Sequence, residues 1–160
     1  MRWREPSAAG PVLDVVAVLP LYVAFGVLKR LIALQRLARW AWRPGVTPAD
    51  DVAARRAVQA VTRISHRLGS RDRDCLQRSL VLYRALSAAG VGPRLVLGFR
   101  QDGEAVRGHA WVEAGGAGRS VLPEDVSGYV EAMSFGAGGA LSRTVAMSPD
   151  GATSAPAART

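Results

Sequence analysis

Residues 74–113 read DCLQRSLVLYRALSAAGVGPRLVLGFRQDGEAVRGHAWVE, and a change of period inside this stretch decides the fold class. Leu76, Leu80, Tyr83 and Leu86 recur at helical spacing, and Leu82 makes the segment apolar on most sides, as a central helix is. Asp74 stands where an N-cap belongs and Gly90 where the helix stops, so Cys75 falls on the first turn. After Gly92-Pro93 the period becomes two. Residues 94–100 read as a strand, Asp102-Gly103 is a hairpin signal, and residues 105–114 read as the returning strand. Gly115 to Gly118 suggests a second turn, with residues 119–122 as a third strand. A helix followed by an antiparallel meander is an α+β order.

Upstream of this stretch, Thr47-Pro48-Ala49-Asp50 reads as a helix start with Thr47 as N-cap and Pro48 at the first helical position. Ala57, Val61, Ile64 and Leu68 supply its buried stripe, and Gly69 ends it. His66 lies about 200° around that helix from Ile64, which makes it a surface histidine. Residues 21–43 form an amphipathic helix: Ala24, Val27, Leu31, Leu34 and Ala38 are its stripe, and Lys29, Arg36 and Arg43 lie opposite with Arg39 nearby. Trp40 and Trp42 at its end suit an interface or a core edge. Two arginines precede the apolar run from residue 11 to 28, but no small-residue cleavage site follows it, and Asp14 is costly at membrane depth. Beyond Phe135 the chain is rich in Gly, Ala, Ser and Thr, and from about Ser142 it reads as a disordered tail. Three regions follow: a hydrophobic and basic helical region over residues 1–45, a core over 46–135 and a flexible tail over 136–160.

The 160 residues amount to one domain, and a single Cys excludes an internal disulfide. With only two His beside it, a structural zinc site has no ligand set, so neither metal nor cofactor is expected. An unpaired thiol points to a reducing compartment. The net charge of +8 is uneven, with seven basic and two acidic groups in residues 1–45 but four and seven in residues 101–160. Such a balance suits a membrane surface or an acidic peptide. Nucleic acid is not expected as a partner, because the arginines are dispersed and no recognition motif accompanies them.

Scarcity narrows the chemistry. A Cys at a helix N-terminus is favoured as thiolate by free amide groups and the helix dipole, although a buried Cys is as often a small hydrophobe. A nucleophilic thiol needs a base, and the base needs an orienting group. His109 stands on the second strand with Trp111 and Glu113 on its face. If the turn closes symmetrically at Gly116-Ala117, Glu124 stands opposite His109; a one-residue slip near Pro123 offers Asp125 instead.

The segments DCLQRSL, RLVLGF and GHAWVE, with their spacing, resemble the transglutaminase-like cysteine peptidases that remove leader peptides in lasso-peptide biosynthesis. The resemblance covers about 40 to 55 residues from Asp74 onward, and the N-terminal helices and length are similar to the standalone protease of that machinery. It implies a papain/transglutaminase-like core with N-terminal helices ahead of it. Cys75 would be the nucleophile, His109 the general base and acid, and a following acid the third member: residue type favours Asp125, hairpin geometry Glu124. Amide groups at the start of the Cys75 helix would hold the oxyanion. Arg78, one turn on, would pin the helix to a carboxylate or bind substrate, and Trp111 would wall the site or serve the core. The implied partners are a precursor peptide, a separate leader-recognition protein (no such domain is read ahead of residue 75) and an ATP-dependent lasso cyclase. The implied location is the cytoplasm, with a peripheral place at the inner membrane face open to the basic helix. Two other readings stand beside it: a non-catalytic membrane or partner adaptor, and an amidase or acyl transferase using the same residues.

Overall fold

The computed structural model describes residues 10–45, 49–68, 74–114 and 120–144. Four helices, α1 (Gly10–Leu31), α2 (Leu34–Ala41), α3 (Asp51–Leu68) and α4 (Cys75–Ala88), precede four strands, β1 (Arg94–Asp102), β2 (Ala105–Glu113), β3 (Val130–Phe135) and β4 (Leu141–Thr144). The strands form one antiparallel sheet in the order β2-β1-β3-β4, so the expected α+β class is the class found.

Helix α4 is apolar nearly all round because it is enclosed. It packs against α1 and α3 and against β2, and Leu80, Val81, Leu82, Tyr83 and Leu86 are all buried. Tyr22 and Phe25 of α1, Leu37, Ala38 and Ala41 of α2, and Val61 and Ile64 of α3 complete one core with Leu95, Val112 and Phe135 of the sheet. Burying each large side chain of this kind contributes about 1.5–3 kcal/mol.

Several expectations change. The helix expected over residues 21–43 is two helices, broken at Ile32 and Ala33. Two non-helical residues shift the phase, so no single stripe runs through the break. Val27 and Leu31 are 55% and 75% exposed, while Tyr22 and Phe25 on one helix and Leu37, Ala38 and Ala41 on the other face the core. Lys29 belongs to no solvated face: its ammonium reaches Asp74 at 3.1 Å and Gln77 at 3.2 Å. Asp74 consequently makes no side-chain cap on α4. Helix α3 begins at Asp51, where the Asp50 carboxylate accepts the N–H groups of Val52 and Ala53. The N-cap assigned to Thr47, the first helical position assigned to Pro48, the stop at Gly69 and the turn at 115–118 lie outside the described residues.

The strand expected at 119–122 is a single bridge between Glu113 and Ser120. Its register is the symmetric one, and the Val121 N–H donates to the Val112 carbonyl at 2.8 Å. The ladder stops there, two residues ahead of Pro123, which lacks a donor. The chain then crosses to the far side of β1 and pairs as β3, so the three strands are not a simple meander. Residues 141–144 form β4 against β3, so the chain is still in the sheet where the tail was expected to start; residues 145–160 lie outside the described part.

Candidate active site

Strand β2 is an edge strand, and the groups on its free edge are consumed one after another. Along such an edge, every second residue points both its N–H and its C=O outward. Ala110 is one of these. Its carbonyl accepts the Ser79 hydroxyl of α4 at 2.9 Å, and its backbone also bonds the Cys75 thiol. Val112, the next, takes the bridge to Val121. The start of α4 is thereby seated on the strand that carries His109, and this brings Cys75 and His109 within hydrogen-bond contact.

The second partner of His109 is Glu124, whose Oε2 lies 3.3 Å from the imidazole Nε2. The same oxygen accepts from the Arg78 guanidinium, and Oε1 accepts the Ser120 hydroxyl at 2.8 Å. Arg78 sits three residues after Cys75 on α4 and is itself buried. Asp125 does not reach His109. Its side chain is fully exposed and accepts the Ser127 N–H at 2.9 Å. Of the two acids left open by the sequence, the structure brings Glu124 to the imidazole.

The electrostatics follow from these contacts. Burial pushes the Cys75 thiol up, but hydrogen bonds with His109, Ala110 and Leu76 together with the His109 charge outweigh it, and the net shift is downward. His109 is raised from 6.5 to about 9 by its bonds to Cys75 and Glu124 against the opposing effect of burial. Burial likewise works against the Glu124 carboxylate, yet His109, Ser120 and Arg78 hold it below its usual range. Each shift favours the charged form of its group, thiolate, imidazolium and carboxylate, a direction suited to nucleophilic attack on an acyl carbon.

Trp111 is buried and donates its indole N–H to Glu113 at 3.0 Å, and its ring lies nearly parallel to His109 at 6.2 Å. It therefore serves the packing behind His109. Tyr129, not singled out in the sequence, is in van der Waals range of both rings, at 5.2 Å from His109 and 6.2 Å from Trp111. Ser120 was missed as well; the signal for it was the hairpin register itself, which sets it opposite Glu113. A cleft of about 860 Å³ opens here, lined among others by Gly108, His109, Arg78, Glu124 and Tyr129. His66 is exposed, as expected, but stands on the rim of this cleft. Among the described residues no group of His, Cys, Asp and Glu could hold a metal ion.

A comparison with known families matches residues 15–134 to the Transglutaminase-like superfamily. The chain belongs to the transglutaminase-like superfamily. No curated protein and no solved structure matches it. The superfamily match starts within α1 and ends within β3, so it takes in the N-terminal helices as well as the sheet. Transglutaminase-like proteins include cysteine peptidases and acyltransferases, and most use a Cys. Among the described residues, no helix is long and apolar enough to cross a membrane.

Proposed function

We propose that this transglutaminase-like protein is a cysteine peptidase that removes the leader from a ribosomally made lasso-peptide precursor. The observation that carries the enzymatic part is the Cys75 thiol hydrogen-bonded to His109, whose Nε2 also lies 3.3 Å from the Glu124 carboxylate. The leader-peptidase part rests on the resemblance of DCLQRSL, RLVLGF and GHAWVE to that family.

In this reading the Cys75 thiolate attacks the last carbonyl of the leader, and the carbonyl π pair moves onto oxygen. Amide groups at the start of α4 stabilise that oxyanion. The C–N bond then breaks, His109 gives its proton to the departing amine of the core peptide, and the leader remains as a thioester. Neutral His109 takes a proton from water, hydroxide adds to the thioester, and the leader acid leaves with regeneration of the thiolate–imidazolium pair. Glu124 holds the imidazole in orientation and stabilises its charge, and Arg78 positions Glu124. A separate recognition protein would deliver the precursor and a lasso cyclase would take the freed core.

The test is to incubate the precursor with its recognition protein and this chain and follow leader release by mass spectrometry. The wild type should release a leader with one added water, and Cys75→Ala should release none. Undiminished cleavage by Cys75→Ala would overturn the reading, and a leader carrying an amine in place of water would assign acyl transfer instead.

A further inference from the structure

The β1–β2 register places Arg100 directly across from Arg107. It also pairs Gly98 with His109, so both arginines lie on the His109 face of the sheet. Like charges opposite one another in an antiparallel pair are destabilising unless something lies between them. Arg107 turns away to Asp102, at 2.6 Å, in an exposed pair. Arg100 instead lies over the ring of Tyr129, 4.8 Å from its centroid, and the same ring contacts His109. Asp125 lines the same cleft and feels the charge of Arg100, but its exposed carboxylate is engaged by the Ser127 N–H. Both arginines line the cleft that holds His109.

We propose that Arg100, with Arg107, forms a subsite for an acidic side chain of the peptide cleaved at Cys75. Arg107 is two residues from His109, about 7 Å along the strand, which an extended peptide covers in two residues. An aspartate or glutamate within two residues of the scissile bond would therefore reach the guanidinium of Arg100, whose planar fork suits a carboxylate. The stack on Tyr129 fixes that fork before substrate arrives, which lowers the entropic cost of pairing.

The inference rests on the Cys75 reading, and the test separates the two. Alkylation of the full chain is timed with bromoacetyl-Gly-Glu-amide and bromoacetyl-Gly-Gln-amide, which label the thiol without any cleavage step. The Glu probe should react about tenfold faster at low salt, as one charge-assisted contact allows. Arg100→Gln should bring the ratio of the Glu-probe to the Gln-probe rate close to one, and Arg107→Gln, at an exposed position, should lower that ratio in part. Equal rates for the two probes on the wild type would overturn the subsite, even if the precursor is cleaved. A Glu preference that depends on Arg100 would sustain the subsite even if no precursor is cleaved, in which case the peptidase reading alone fails.

Discussion

At the scale of single residues, the candidate site turns on which acid meets the base. Replacing Glu124 with Gln removes the carboxylate that helps hold His109 at about 9, so the imidazole pKa should fall. The alkaline limb of the rate–pH profile should move to lower pH and kcat/KM should drop by about 10²-fold or more, whereas Asp125→Asn should stay within about twofold. An equal loss in both variants would refute the assignment. Arg78 acts through Glu124: Arg78→Met should shift the same limb, with Arg78→Lys restoring part of it, and an unmoved pH profile would reduce Arg78 to a packing role. The His109 shift also bears on stability. Its folded value lies above the unfolded 6.5, so its contribution is fully present below 6.5 and is lost as pH rises through about 9. Glu124 is lowered from 4.5, so its contribution is present above 4.5 and is lost as the pH falls through its folded value. Both contributions are whole only between these unfolded values, and chemical denaturation across pH should show their sum diminish on either side of that interval. The sequence made Cys75 and His109 legible because few residues could do the chemistry. Choosing between Glu124 and Asp125 needed the path of the chain beyond the end of the ladder at Val121, which residue type does not report.

At the scale of elements, helix existence and strand period were readable, and the errors fell where tertiary contacts overrule local pattern. The Asp74 cap is the plainest case, since Lys29 from α1 takes the carboxylate that local rules assign to α4. The sheet order was hidden for a similar reason. Residues 130–135 return to β1 across its far side, a long-range choice with no local signature. Gly98 shows how tightly the strands close behind the site. A Cβ there would lie 2.6 Å from the Val130 carbonyl oxygen and 2.9 Å from the Trp111 ring. Gly98→Ala should therefore destabilise the protein by about 1–3 kcal/mol as an overpacked site does, and should slow Cys75 alkylation by displacing the ring behind His109. Urea unfolding and the alkylation rate check the two effects, and unchanged stability would show that β3 yields freely.

At the scale of the molecule, the N-terminal helices are part of the core. Tyr22, Phe25, Leu37, Ala38 and Ala41 lie in one cluster with Leu80, Tyr83 and Leu95, and a Cβ on Gly139 would meet the Arg39 backbone at 2.4 Å. The division at residue 45 suggested by composition thus runs through a continuous core, and composition cannot reveal this because it records no contacts. A chain lacking residues 1–45 should lose cooperative unfolding, as followed by circular dichroism in urea; a sharp, two-state transition would show the remainder to be autonomous. The seating of α4 on β2 carries a further consequence. The thiol, its base, the carboxylate and the arginine close a ring that begins and ends on one helix, and the base and the carboxylate lie 34 and 49 residues beyond Cys75. A chain still folding, or one partly melted, carries only an ordinary cysteine. Under the proposed function, the thiol therefore gains its base and its cleft in the same folding event.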